Sequence, residues 1–381
     1  MRKIEWVKKI WQLIPAVILL GGAAALLWAA RMAAGFAEWY SNTIYPPLVA
    51  VVGGFYGLVP FSVVEVFLYA GVVFIVYLLI RDRKRPWKIL LNYSLIAAAL
   101  LFLYASCCGV NYYRVPFSTY YIQTEEKKLQ ERAEASGEQI QLPAVSLSGL
   151  CGWLTEEVNR AYEELQNHPG NFEEMQKKGI KAMEGLAEQY PSLAGHYPKP
   201  KPLMVSGILS IQQCSGVYSP FTIEANYNND MVPYNIPHTI CHEMSHLRGF
   251  MREDEANFIG YLACLQSEDA DFRYSGYLMG WIYAGNALAK VNYKEYERLH
   301  GLLNREVVAE LDENSEFWNR FEGEVAEVQE KVNDAYLKAN GQHDGVLSYG
   351  RVVDLMLVDY ALRSYCLYPS GENVRIMGKS G

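Results

Sequence analysis

Three apolar runs dominate the first third of the chain: LIPAVILLGGAAALLWAA (13–30), FSVVEVFLYAGVVFIVYLLI (61–80) and ILLNYSLIAAALLFLYASCC (89–108). Each is close to the roughly 20 residues a helix needs to cross bilayer hydrocarbon, where a backbone must satisfy its own polar groups. Residues 1–110 are therefore predicted to form a multi-pass membrane anchor of three transmembrane helices. The stretch PPLVAVVGGFYGLVP (46–60) is interrupted by Pro and Gly and reads as an interfacial or re-entrant loop. A cleaved signal peptide is the lesser reading of the first run, whose apolar stretch is too long for one and lacks a small-x-small end. Glu65, the one ionisable type in the second and third runs, stands near its helix start and is expected to reach the interface. Cys107 and Cys108 read as a helix end.

Orientation follows from the basic residues, which are retained on the cytoplasmic side. Arg2, Lys3, Lys8 and Lys9 precede the first run, and RDRKRPWK (81–88) joins the second to the third. The third helix then runs outward and places residues 111–381 outside the cytoplasm of a bacterial cell membrane. A net charge of −8 argues against a nucleic-acid partner, which would require a phosphate-neutralising basic surface. Seven cysteines without paired spacing predict no disulfide framework.

Within 111–381 a small sheet and the active-site helices are expected over about 203–265, and a helical carboxyl-terminal part over about 270–381. The segment PLMVSGILSIQQCSGVYSPFTIEANYN contains two β-rich runs separated by Ser-Gly. The charged run 315–331 reads as a solvated amphipathic helix.

Residues 242–258 read HEMSHLRGFMREDEANF. Residues four apart on a helix lie one above the other, so His242 and His246 can direct both imidazoles at one ion while Glu243 faces the space beside it. Asn235 offers a cap, Pro237 suits a first turn and Gly249 is a natural stop. A catalytic zinc site wants three protein ligands and an open fourth position, and Glu253 follows just beyond the Gly249 turn. If a second helix begins near Met251, then at 100° per residue Glu253, Asn257, Gly260 and Cys264 share one stripe. Small residues there would let the two helices approach. Glu255 falls on the side of Phe258 and Leu262, and Asp254 about 100° round, so Glu253 is the expected third ligand with Glu255 the second choice, and Asn257 is expected to support one of the ligands. His238 is expected beside the site or at the surface, and Cys241 as a buried structural thiol.

HEMSH followed by EDEAN resembles the Glu-zincin metallopeptidases, in which a His pair on one helix is joined by a Glu from a Glu-x-x-Ala-Asn/Asp element on the next. PHTICHEMSHLRGFMREDEANFIGYLAC, SGVYSPFTIEANYN and NDAYLKANGQHDGV, with the three spans, resemble a bacterial membrane family known as domain of unknown function 3810. The resemblance implies a mainly α-helical α+β zincin-like metallopeptidase domain behind the anchor, with the metal ligands His242, His246 and Glu253 on Zn2+ and Glu243 as catalytic base. The short step from His246 to Glu253 departs from thermolysin-like members. The expected function is a membrane-anchored zinc endopeptidase acting on extracytoplasmic peptides or proteins, with segment 217–227 as an edge strand for substrate. Tyr349, His343 and Arg248 are the candidates for stabilising the oxyanion. A non-catalytic sensor or assembly factor binding a protein or cell-wall partner is the alternative, against which the presence of a base speaks.

Overall fold

The computed structural model describes residues 11–137, 142–165, 172–342 and 350–367. Three helices in it are long and apolar enough to cross a membrane: Ile14–Met32, Val63–Asp82 and a continuous run Pro86–Tyr113. The first is α1, and the short α2 (Phe36–Thr43) follows it. Residues expected to loop at the interface are instead helical in three pieces, Tyr45–Leu48, a π-turn at Val49–Gly53, and Gly54–Gly57. They fold back on the soluble part, and Gly53 permits it: an added Cβ would lie 2.7 Å from Pro198 Cγ.

Helix α3 (Val63–Asp82) has 20 residues, a rise of about 30 Å that matches the hydrocarbon thickness. Helix α4 (Pro86–Tyr104) does not stop at the two cysteines. It continues through a π-turn at Ala105–Gly109 and a 3-10 turn at Val110–Tyr113, and this extension is buried in the folded domain. Composition marked the apolar length but not this docking, which depends on Gly109: a Cβ there would meet Leu27 of α1 at 2.7 Å.

The soluble part opens with α5 (Phe117–Ser136), α6 (Leu147–Leu165) and α7 (Phe172–Gln189). A three-stranded sheet follows, from β1 (Lys201–Pro202), β2 (Gly216–Ser219) and β3 (Glu224–Tyr227), in the order β1-β3-β2. β1 is parallel and β2 antiparallel to β3, with Val217 opposite Asn226. Only the second of the two expected β-rich runs forms a hairpin, because the first folds into a short helix, Gly207–Ile211. β2 alone is the edge strand facing the cleft described below; the Glu224–Tyr227 half of the expected edge segment is the central strand.

Then come α8 (Asn235–Leu247), α9 (Glu253–Leu265), α10 (Ala270–Val291), α11 (Tyr293–His300), α12 (Arg305–Asn319), α13 (Glu324–Ala339) and α14 (Val352–Leu367). Helix α8 lies between β2 and β3 on one side and α7, α9 and α10 on the other. One buried apolar cluster runs from Ala30, Tyr45 and Cys107 through Ile240 and Phe258 to Trp281, so the helices of membrane length and the rest of the fold share a core.

Charged groups join them as well. Glu224 on β3 accepts from the amides of Val63 (3.1 Å) and Val64 (2.9 Å), where the positive end of the α3 dipole favours an anion, and pairs with buried Lys201 at 2.5 Å. Glu65 is not in open contact with the interface. It is buried and accepts from the amides of Met204 (2.7 Å) and Val205 (2.8 Å) and from the Tyr69 hydroxyl, so its carboxylate fastens a soluble loop to the first turn of a membrane helix. Among the described residues six cysteines are free.

Candidate metal centre

The His helix begins without a side-chain cap: Asn235 is already helical, and its amide donates to Val232 O and Asn314 Oδ1. Its end is as expected, with Gly249 in the left-handed region at φ 84°. The chain reverses through Phe250 and Met251, and α9 starts at Glu253, bringing its carboxylate back over the last turn of α8. Glu253 Oε2 lies 3.2 Å from His242 Nε2, and Oε1 3.9 Å from His246 Nε2. One donor atom from each of the three lies within 4.8 Å of the others.

The close approach of the two helices rests on the small-residue stripe. A Cβ on Gly260 would stand 3.2 Å from His238 O and 3.3 Å from His242 N. Farther along, Cys264 Sγ is 4.0 Å from Cys241 Sγ, both buried. Asn257 Oδ1 lies 2.8 Å from His242 Nδ1 and accepts from Tyr283 OH at 3.1 Å. His246 Nδ1 lies 2.7 Å from Phe250 O. Both imidazoles therefore carry their proton on Nδ1 in the neutral form and leave an Nε2 lone pair directed at the common point. His238 is buried rather than at the surface, with Nε2 3.2 Å from Asn257 O, and burial together with His242 pushes its pKa down to about 3.

The other acids of the segment are engaged elsewhere. Glu255 accepts from the amides of Phe117 and Ser118 and from Ser118 Oγ (2.7 Å), at the start of α5. Asp254 pairs with Arg351 at 3.3 Å. Arg248, a candidate for the oxyanion, is corrected: it follows the last helical turn and points away from the cluster, donating to Ala194 O (2.8 Å) and His196 O (3.3 Å). His343 and Tyr349 lie outside the described residues.

These groups form the wall of a cleft of about 960 Å³, bounded by residues 212–218, by Cys108 and Tyr112 of the α4 extension, and by α13 with the residues just before it. Sequence reasoning missed most of this lining. Gly216 is its most consequential member: a Cβ there would sit 2.5 Å from Glu243 Oε1, so the edge strand reaches the carboxylate only as glycine. The only signal was the Ser-Gly break between β-rich runs. The Tyr218 and Tyr45 hydroxyls lie 2.8 Å apart, with Cys107 O 3.0 Å from Tyr218 OH and His246 O 3.3 Å from Tyr45 OH, and their two protons serve two of these three contacts at a time. The cleft floor is thus bonded to the end of the third apolar helix. Helix α13 is held at its far end, where Tyr336 OH meets Cys108 Sγ at 3.4 Å and Tyr104 OH donates to Asn340 Oδ1.

His242, His246 and Glu253 offer the donor types that a zinc ion takes. Tetrahedral coordination at about 2.0–2.1 Å separates neighbouring donor atoms by about 3.3 Å, against 3.2 Å from Glu253 to His242 and 3.9 Å from Glu253 to His246. Five carboxylates, those of Glu243 and Glu253 among them, line a cleft in which no Lys or Arg appears among the described residues, and Glu243 Oε2 is buried without a hydrogen-bond partner. A buried anion without a counter-charge is costly. Protonation equilibria report the same deficit. Burial pushes Glu243 up to about 8, with His242 pulling down and Glu253 pushing further up. Burial also disfavours charge on His242, yet the hydrogen bond to Glu253 and its charge outweigh it and raise the pKa to about 9. Burial likewise opposes ionisation of Glu253, but the His242 hydrogen bond holds it below the usual carboxylate range. For His246 burial prevails, down to about 4. A proton held between His242 and Glu253 does electrostatically what a cation would do there.

Neither the curated proteins nor the solved structures contain a match to this sequence. A family profile described as Protein of unknown function (DUF3810) matches residues 40–357. That match runs from α2 into α14 and takes in the whole His242, His246 and Glu253 cluster, and the chain therefore belongs to the DUF3810 family.

Proposed function

We propose that this chain is a membrane-anchored, zinc-dependent endopeptidase that hydrolyses extracytoplasmic peptides or proteins. One observation carries the reading: two imidazoles with fixed tautomers and one carboxylate converge beside an open cleft, next to a second carboxylate with a buried, unpartnered oxygen. His242, His246 and Glu253 would hold the ion. Bound there, zinc supplies Lewis acidity and lowers the pKa of a coordinated water to about 7. Glu243 takes a proton at Oε2 and returns it to the leaving amine; β2 runs along the cleft as the strand against which an extended substrate pairs. A chain that only bound a partner would have no use for a base at Glu243.

Glu243→Gln should abolish hydrolysis of a peptide library by the purified full chain while zinc remains at one equivalent. Loss of metal in parallel with activity would remove Glu243 from the role of base. Orientation is tested separately. A reporter fused after Lys84, in the basic loop, should read cytoplasmic and one at the carboxyl terminus extracytoplasmic; reporters on the same side would overturn the topology.

A further inference from the structure

One wall of the cleft carries charge that the proposed chemistry does not use. Facing β2, Glu322, Glu327 and Glu330 join Glu243 and Glu253 in the lining, and among the described residues no Lys or Arg does. A bound divalent cation would be balanced by Glu243 and Glu253. The other three acids, all solvent-exposed, remain as an anionic wall above the ligand cluster. The acids alone would not define a site. The cleft between them and β2 is large enough for several residues of extended chain, and the buried, unpartnered Glu243 Oε2 borders it, which marks the space as built for an occupant.

Opposite that wall stands the edge strand, where Val217 is exposed and Tyr218 is tied down by its hydroxyl. An extended polypeptide lying along β2 would turn alternate side chains towards α13. We infer that the cleft selects segments carrying Lys or Arg within a few residues of the bond presented to His242, His246 and Glu253, recognised by Glu322, Glu327 and Glu330. This rests on the reading of the cleft as a peptide site. Exposed ion pairs are weak one by one, about 1.4- to 5-fold each, so three together give selectivity on the order of tenfold. With a Debye length of about 10 Å at 0.1 M salt, such a preference fades as ionic strength rises.

The test uses the full chain in nonionic detergent, zinc-loaded and carrying Glu243→Gln so that nothing is cut. Binding of two fluorescent peptides is compared, with the same apolar positions and a net charge of about +3 or −3. The cationic peptide should bind about tenfold tighter at low salt, the ratio should shrink at high salt, and the triple substitution Glu322→Gln, Glu327→Gln, Glu330→Gln should bring it near one. Equal binding, including none, tighter binding of the anionic peptide, or a ratio that survives the triple substitution overturns the inference. Hydrolysis by the unsubstituted chain judges the peptidase reading separately. A chain that binds with this charge signature but never cuts refutes the enzyme and keeps the selectivity; one that cuts without regard to charge does the reverse.

Discussion

Exchanging the roles of two acids two residues apart gives the sharpest test of the site. Glu253 faces the imidazoles, whereas Glu255 is turned to the start of α5, where it accepts from the amides of Phe117 and Ser118. Truncating Glu255 to Ala strands those two donors, at about 1–3 kcal/mol for each buried group, hence about 2–6 kcal/mol in all. At about 2.1 cal/mol/K per residue, a folded unit of the roughly 270 residues after the third apolar helix shifts by about 2 °C per kcal/mol, so the apparent Tm should fall by roughly 4–12 °C. Zinc content should stay near one equivalent, because no ligand is touched. Glu253→Ala should behave oppositely. Losing a direct ligand exceeds the roughly 10- to 100-fold affinity cost of losing a supporting partner, so dialysed protein should retain little zinc. Ligand binding stabilises by RT ln(1 + [L]/Kd), about 4 kcal/mol at a thousandfold excess over Kd, and a chelator should strip that from the parent chain but not from Glu253→Ala. Thermal melts with and without chelator, beside elemental analysis, read all of this. Zinc lost from Glu255→Ala and kept in Glu253→Ala would falsify the helical-face argument. If Glu255→Ala does not fold, Glu255→Gln retains one acceptor and serves in its place.

Gly216→Ala probes the base without touching a ligand: moving the added Cβ from 2.5 Å to an ordinary 3.4 Å contact displaces Glu243 Oε1 by close to 0.9 Å. A misplacement of about 1 Å costs about 100-fold, so kcat/KM should fall by that order with zinc unchanged; full activity would show that Glu243 has room to spare. At the membrane-facing side, burial raises the pKa of Glu38, but the hydrogen bond from Tyr120, the charge of Arg114 and the Val115 and Asn42 donors outweigh it and hold the carboxyl below its usual value. A lowered acid pKa contributes stability above the unfolded value, near 4.5, and loses it as pH falls through the folded one. The parent Tm should therefore drop more between pH 6 and pH 3.5 than that of Glu38→Gln, and parallel pH profiles would show that Glu38 contributes none of this.

What the sequence made legible, and what it hid, divides by the range of the interactions involved. Helical periodicity is a local rule, so it could place His242, His246 and Glu253 on facing stripes, set Asn257 beside them and turn Glu255 away, all within 16 residues. Apolar length is also local and marked the three membrane-length helices. The cleft is not local: Cys108, Gly216, Glu243 and Glu327 meet from four separate segments spread between residues 108 and 327, and no pattern in any one of them announces the others. Arg248 illustrates the limit, since its position in sequence beside the motif says nothing about Ala194 and His196, whose carbonyls hold it away. The same holds for residues 46–60, which composition assigned to an interfacial or re-entrant loop and which are helical as far as Gly57. Tyr45, just before that stretch, lies within hydrogen-bond reach of His246 O and of Tyr218 OH, which in turn reaches Cys107 O in the α4 extension. The backbone of one candidate metal ligand is therefore linked through two phenols to a helix of membrane length. A change in the packing of those helices would reach the His246 carbonyl through Tyr218 of β2 and Tyr45, and the α4 extension belongs to the scaffold of the site.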